Sequence, residues 1–115
     1  DLFDASFFGL QSAEAQATDP QQRLLLRTSY KALAQSGHDK GTLLGAPHGV
    51  FAAVSNQDWY SWSFGEERAT SAFTGTGIAA ALASNRISFS LGLRGPSMTI
   101  DTACSSSLTA LSAAA

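Results

Sequence analysis

The fold of this chain is decided by one stretch of sequence, Ser97-Met98-Thr99-Ile100-Asp101-Thr102-Ala103-Cys104-Ser105-Ser106-Ser107-Leu108. Residues 97–101 follow a Gly-Pro pair and include apolar and β-branched side chains, which predicts a strand. Small polar residues come next, and the Ala/Leu-rich run after them predicts a helix. Cys104 therefore lies where a strand passes into a helix. This is the layout of a nucleophile elbow, in which the reactive side chain projects at the top of a sheet.

The position of Cys104 suits a reactive thiol. The unpaired N–H groups and the dipole of a helix start favour a thiolate, and the small neighbours Ala103 and Ser105 leave room for a bulky acyl group. The N–H of Cys104 itself is a candidate donor to an oxyanion. A free cysteine is also commonly a small buried apolar residue, and position alone leaves both interpretations open.

The clearest helix start in the chain is at Asp19-Pro20. Asp19 is placed to cap the helix, Pro20 suits its first position, and Gln22 lies where a capping box has Glu or Gln. Gly37 ends the helix after about 16 residues. Basic side chains recur at every fourth position, which is typical of a solvated face: Arg23, Arg27 and Lys31.

Two further segments complete an alternating pattern. Residues 49–54 are apolar and branched, which predicts a buried strand. An Ala/Leu-rich run predicts a buried helix from Ile78 to about Ser84, ahead of the strand at residues 97–101. The order helix, strand, helix, strand, helix favours an α/β fold.

The remaining segments give weaker signals. Residues 2–10 form an irregular apolar strip that we expect to pack onto the core, and Ser12 is placed to cap a short helix after it. Residues 55–68 hold both tryptophans and an acidic pair without a clean period, which predicts a surface loop or lid. The two glycines of residues 74–77 suggest a phosphate loop only weakly, because no lysine follows them.

Composition excludes several classes of protein. The 115 residues have a formal charge of -2, 44% hydrophobic and 14% charged side chains, and one cysteine. The small net charge argues against nucleic-acid binding, and one cysteine excludes a disulfide framework or a thiolate zinc site. Neither a membrane span nor a basic secretory leader is visible. We therefore expect a cytoplasmic protein.

The distribution of charge says more than its total. From residue 69 to residue 115, the only charged side chains are Arg86, Arg94 and Asp101. A free-standing domain needs a solvated face, so we expect this half to be covered by further chain, by a partner subunit, or by both. Residues 1–115 are thus interpreted as a partial domain truncated at both ends. The alternative is a small domain that has merely been trimmed.

Several motifs along the whole chain match one family in order. They are Phe3-Asp4-Ala5 with Phe7-Phe8-Gly9, residues 19–26 (DPQQRLLL), Gly75-Thr76-Gly77, residues 83–89 (ASNRISF) and residues 101–108 (DTACSSSL). These resemble the β-ketoacyl synthase family of condensing enzymes, in particular the ketosynthase domains of polyketide and fatty-acid synthases. The DTACSSS run resembles the active-site signature and is the most specific of them.

The resemblance implies an α/β, thiolase-like fold with layers in the order α-β-α-β-α, of which this chain is part of the N-terminal half. It implies that Cys104 is the nucleophile, taking an acyl chain as a thioester from the phosphopantetheine of an acyl carrier protein. A malonyl-type extender then loses CO₂, and its enolate attacks that thioester to give a 3-ketoacyl product. The implied protein binds no cofactor or metal directly, works with acyl carrier protein and is a homodimer.

The chain departs from the family pattern in one important respect. The family needs two downstream histidines, in HGTGT-like and NxGH segments, and a lysine between them; none of these lies here. His38 and His48 lack the family context, so we assign no role to either and expect both at the surface. The chain alone is therefore expected to be inactive. The alternatives are a catalytically dead relative kept for dimerisation or carrier docking, and a cysteine hydrolase, which the TACSSS run does not favour.

Overall fold

A computed structural model describes residues 3–56, 58, 59, 61 and 79–115. Two strands run through this part of the chain, β1 (Val50–Ala53) and β2 (Ser97–Ile100). The helices that lie within residues 3–56 and 79–115 are α1 (Ser12–Ala17), α2 (Pro20–Gln35), α3 (Lys40–Leu43), α4 (Leu82–Leu91) and α5 (Ser106–Ala114), with a 3₁₀ turn at Ala103–Ser105.

The two strands form a parallel pair. Val50 lies opposite Ser97, and the register continues to Ala53 opposite Ile100. Parallel strands need a crossover connection, and α4 lies in the segment between them and packs on both. Both predicted strands are confirmed; β1 is one residue shorter at each end than expected, and β2 is one residue shorter at its C-terminal end. After Ile100, the last residue of β2, the chain enters the turn that contains Cys104.

Helix α2 begins as the sequence predicts. A side-chain oxygen of Asp19 accepts a hydrogen bond from the Gln21 N–H at 2.7 Å, with Pro20 in the first turn. The expected capping box at Gln22 is wrong. The Gln22 side chain is buried and instead donates from Nε2 to the Ala79 carbonyl at 3.1 Å. The hydrogen bond from Gln22 to Ala79, which is distant in the sequence, thus takes the place of the expected capping box.

Helix α4 differs most from expectation. Its described turns run from Leu82 to Leu91, so the predicted end near Ser84 is wrong. Ala83, Ile87 and Leu91 recur at four-residue spacing and are all buried, which gives the longer helix one continuous apolar face. Gly92 then ends it in the left-handed region, at φ +71°. The predicted start at residue 78 is wrong too, because residues 80 and 81 form a turn and the helix begins only at Leu82; residue 78 itself lies outside the described residues.

Helix α1 is present, but Ser12 is not its cap. The capping position is Gln11, whose side chain makes no capping hydrogen bond. The Gln11 carbonyl accepts from the Ala15 N–H at 2.9 Å and so opens the helix one residue earlier than predicted. Ser12 is therefore already the first helical residue.

One apolar core joins the N-terminal strip to the helices. The strip at the chain start packs onto it as expected, with the rings of Phe3 and Phe8 stacked at 5.3 Å between centroids. Close packing of such side chains is the main source of stability in a domain of this size. The buried members of the core are Phe8, Leu10, Ala15, Leu26, Leu43, Ile87 and Leu91.

A polar network ties α1, α2 and α4 together beside this core. Arg86 pairs with Glu14 at 3.0 Å, and its Nε donates to Gln22 Oε1 at 2.8 Å. The Arg86 side chain is largely buried, so each of these hydrogen bonds replaces water that the group has lost. The network therefore fixes α4 against the first two helices.

The surface predictions have mixed outcomes. Arg27 and Lys31 are exposed, as expected of a solvated face, whereas Arg23 is half-buried. The two histidines are half-buried rather than fully at the surface, and their rings contact each other edge to face at 5.2 Å. Most of the predicted loop or lid at residues 55–68, and the glycines of residues 74–77, lie outside the described residues. No helix in the described part is long and apolar enough to cross a membrane.

Candidate active site

Cys104 lies in the turn that links the end of β2 to the start of α5. The strand ends at Ile100, the 3₁₀ turn covers Ala103–Ser105, and α5 begins at Ser106. The predicted passage from strand to helix is thus confirmed, with a 3₁₀ turn added between the two. The Cys104 side chain is exposed in the described part of the chain, which favours an accessible thiol over a small buried apolar residue.

The backbone immediately before Cys104 is strained. Ala103 has φ +54°, and among the described residues it is the one non-glycine residue with a positive φ. In this left-handed region the Cβ atom crowds the following carbonyl, at a cost of about 1–2 kcal/mol. Strain of this kind persists only where the surrounding contacts impose it, and it concentrates at functional sites.

Hydrogen bonds from two side chains hold that strained residue. The carboxylate of Asp101 accepts from the Ala103 N–H at 3.1 Å. The hydroxyl of Ser106 accepts from the Thr102 N–H at 2.7 Å and donates to the Ala103 carbonyl at 2.7 Å. We call these two hydrogen bonds of the Ser106 hydroxyl the Ser106 clamp. The backbone on the N-terminal side of Cys104 is therefore held at three polar groups, the Thr102 N–H, the Ala103 N–H and the Ala103 carbonyl.

A second set of hydroxyl contacts surrounds the turn on its exposed side. The Ser105 hydroxyl donates to the Thr102 carbonyl at 2.8 Å and also contacts Thr102 Oγ1 at 2.9 Å. Thr109 Oγ1 donates to the Ser105 carbonyl at 3.0 Å. Thr102, Ser105 and Thr109 thus link the turn to the first turn of α5.

This role of the hydroxyl residues is not among the predictions from the sequence, although the sequence carries a signal for it. Thr102, Ser105, Ser106 and Thr109 follow the spacing i, i+3, i+4, i+7. That spacing places side chains on one face of a helix, and here it brings these hydroxyls together around the turn. The strain at Ala103 has no comparable signal, because alanine is not a residue that favours positive φ.

Neither histidine of the chain completes the site. His38 and His48 contact each other, and within the described residues neither is a hydrogen-bond partner of the Cys104 turn. The described residues also contain no group of three or more side chains suited to hold a metal ion. The described site consists of a thiol, its backbone N–H and the hydroxyls that shape the turn.

Large apolar side chains remain exposed on the elements around the site. Phe89 on α4 is 90% exposed, and Leu108 and Leu111 on α5 are 69% and 71% exposed. Met98 on β2 is half-exposed. Apolar surface on neighbouring elements is typical of a face that another element or subunit covers.

Comparison with known proteins identifies relatives that match nearly the whole chain. The family model described as "Beta-ketoacyl synthase, N-terminal domain" matches residues 1–115. Polyketide synthase GfsE of Streptomyces halstedii is 48% identical over 111 residues, which covers 96% of this chain and 3% of that protein. Erythronolide synthase EryA3 of Saccharopolyspora erythraea is 48% identical over 109 residues, covering 95% and 3%. The chain thus spans about 3% of the length of these curated relatives.

The fold is shared with solved ketosynthases. The ketosynthase from module 6 of the bacillaene synthase of Bacillus subtilis 168 superimposes with a TM-score of 0.81 at 35% identity. The match covers 97% of this chain and 18% of that one. The α/β, thiolase-like fold expected from the sequence is confirmed.

Proposed function

Since the chain belongs to the β-ketoacyl synthase family through that family's N-terminal domain, we propose that it carries the nucleophile of a ketosynthase and that Cys104 is that nucleophile. The single observation that carries this proposal is the exposed thiol at the end of a parallel strand, on a turn whose preceding residue is held at φ +54°. A strained strand-to-helix turn that presents one nucleophile is the arrangement of a nucleophile elbow.

In the first step, Cys104 takes over an acyl group. The Cys104 thiolate attacks the carbonyl carbon of an acyl thioester carried on the phosphopantetheine of an acyl carrier protein. The negative charge that develops on the carbonyl oxygen is stabilised by the Cys104 N–H. The carrier thiolate leaves and takes up the proton lost from Cys104. The product is an acyl-Cys104 thioester, so one difficult condensation is divided into two easier steps.

In the second step, the acyl group is extended. A malonyl-type thioester on a carrier protein loses CO₂, and the electron pair of the broken bond forms an enolate. The enolate carbon attacks the acyl-Cys104 carbonyl, and the Cys104 thiolate leaves. The product is a 3-ketoacyl thioester on the carrier protein, in polyketide or fatty-acid synthesis. The chain's own contribution is the electrophilic thioester, the leaving thiolate and the fixed turn that positions both.

The proposed unit of activity is longer than residues 1–115. The resemblance implies two histidines and a lysine that match no position here, so we propose that this chain is a partial N-terminal domain and is inactive alone. The exposure of Phe89, Leu108 and Leu111 supports an element or subunit lying against α4 and α5. The proposed partners are an acyl carrier protein and a second copy of the parent domain.

The test is acylation of Cys104 in the full-length protein that contains these residues. Incubation with an acyl thioester of pantetheine, followed by peptide mass spectrometry, should place the acyl group on Cys104, and Cys104→Ala should abolish both labelling and condensation. Ser107→Ala, at an exposed position in the first turn of α5, controls for loss of a small side chain nearby. Absence of acyl-Cys104 in the unchanged protein, or full condensation by Cys104→Ala, would contradict the proposal. Cys104 acylation without condensation would favour a catalytically dead relative.

A further inference from the structure

We propose that Ser106 is a positioning residue for Cys104, acting through the Ser106 clamp on the backbone of Thr102 and Ala103. This inference rests on the proposed function of Cys104 as a nucleophile. In this role, Ser106 contacts no reacting atom. Its hydroxyl sets the backbone conformation from which Cys104 is presented.

The clamp uses the hydrogen-bonding capacity of one buried hydroxyl in two directions. Ser106 is only 5% exposed, and both of its hydrogen bonds measure 2.7 Å. A serine at a helix start commonly donates to a carbonyl three residues earlier. Here the same oxygen also accepts from the Thr102 N–H, so it bridges two backbone groups that lie on either side of one peptide plane.

This bridge constrains the strained residue directly. The backbone dihedral angles of Thr102 and Ala103 lie between the Thr102 N–H and the Ala103 carbonyl. Both of these groups form hydrogen bonds to the same oxygen atom. The Asp101 carboxylate holds the Ala103 N–H between them at 3.1 Å. Residue 103 is an alanine and gains nothing from φ +54° by itself. The left-handed conformation of Ala103 is therefore imposed by these contacts, and it sets the position of Cys104.

The neighbouring hydroxyls do not share this role. Ser105 and Thr102 are exposed, so water can replace the hydrogen bonds that they form with each other. Water has less access to the bonds of Ser106, because that residue is buried although Thr102 and Ala103 are exposed. Removing the Ser106 hydroxyl thus leaves the Thr102 N–H and the Ala103 carbonyl without this partner, whereas removing the Ser105 hydroxyl exchanges one partner for another.

The consequence is a change in rate rather than in the amount of competent protein. In Ser106→Ala, the Asp101 carboxylate still accepts from the Ala103 N–H and the N–H of residue 106 still bonds the Ala103 carbonyl, but the link to the Thr102 N–H is lost. Ala103 can then relax toward negative φ, which displaces Cys104. Misplacement of a catalytic group by about 1 Å can cost about 100-fold in rate. We therefore expect the rate of Cys104 acylation to fall roughly 10- to 100-fold.

The experiment measures acylation of Cys104 by butyryl-pantetheine in the full-length protein under single-turnover conditions, following acyl-Cys104 by mass spectrometry. Ser106→Ala should reach the same final extent of labelling as the unchanged protein, at the reduced rate. A variant that merely misfolds would show a lower final extent at an unchanged rate, so the two measurements separate positioning from destabilisation. Ser106→Thr keeps the hydroxyl and should recover most of the rate. Ser107→Ala is the matched control and should acylate normally.

The possible results are distinct. Acylation of Ser106→Ala within about threefold of the unchanged protein, or a loss confined to the final extent, would overturn the positioning role and leave the proposed function standing. An equal rate loss in Ser106→Ala and a folded Ser106→Thr would also overturn it, because the hydroxyl would then be irrelevant. If Cys104 of the unchanged protein is never acylated, both the proposed function and this inference fail.

Discussion

Substitution of Gly95 by alanine tests the contact that brings the two strands together. Gly95 precedes β2, and a Cβ atom at this position would lie 2.4 Å from the carbonyl carbon and oxygen of His48 and 2.5 Å from the Gly49 nitrogen. All three neighbours are backbone atoms, so no side chain can rotate away to make room. The two segments would have to separate by about 1 Å to restore ordinary contact distances.

The cost of that separation follows from the bonds it breaks. The Gly95 N–H donates to the His48 carbonyl at 3.1 Å, and the Val50 N–H donates to the Pro96 carbonyl at 2.7 Å. Each backbone hydrogen bond contributes about 1 kcal/mol net, and overpacking a tight contact adds about 1–3 kcal/mol. We expect Gly95→Ala to lower the free energy of unfolding by about 4 kcal/mol in all.

The assay is urea denaturation of the ketosynthase domain that contains these residues, with Gly37→Ala as the control. Gly37 has φ +91°, but no atom lies within 4 Å of the place that an added methyl group would take. Its substitution should therefore cost only the left-handed strain of about 1–2 kcal/mol. If Gly95→Ala destabilised the domain no more than Gly37→Ala, the close backbone approach would not limit stability and the reasoning would be refuted.

Three further predictions use the same domain. Leu26→Ala, at a fully buried core position, should cost about 3–4 kcal/mol in urea denaturation, and a loss under about 1 kcal/mol would contradict the packing. The buried Ser88 hydroxyl has no partner among the described residues, so Ser88→Ala should leave stability unchanged or raise it by up to about 1 kcal/mol; a clear loss would refute this. Hydrogen bonds from the Phe7 N–H and the Ser6 hydroxyl lower the pKa of Asp4, so its stabilising effect is present at neutral pH and is lost as the pH falls through that lowered pKa. An NMR titration of Asp4 with a midpoint at or above the ordinary aspartate value would contradict this lowered pKa.

The parts of the fold that the sequence predicts well are those settled by neighbouring residues. The start of α2 depends on Asp19 and Pro20, whose effects reach only the first turn, and both behave as expected. The strand-to-helix passage at Cys104 is likewise visible in the local pattern of branched and small residues. Local chemistry is enough in both places.

The predictions from the sequence are wrong where contacts between residues distant in the sequence determine the structure. The partners of Gln22 are the Ala79 carbonyl and Arg86 rather than its own helix start. Helix α4 extends to Leu91 because its apolar face meets a core built from the N-terminal strip and α2. The Ser106 clamp depends on a conformation of Ala103 that no alanine favours alone. Such contacts exist only once the chain has folded.

The parallel pairing of β1 with β2 also has a consequence for synthesis of the chain. Val50 pairs with Ser97, 47 positions later, so at the usual 5–20 residues per second β1 leaves the ribosome about 2–9 s before its partner. In the part of the chain that the structure describes, β2 is the only strand beside β1. During that interval the side of β1 that later pairs with β2 is open to chaperones or to other nascent chains. The turn that contains Cys104 follows β2 in the chain, so it is synthesised only after both strands.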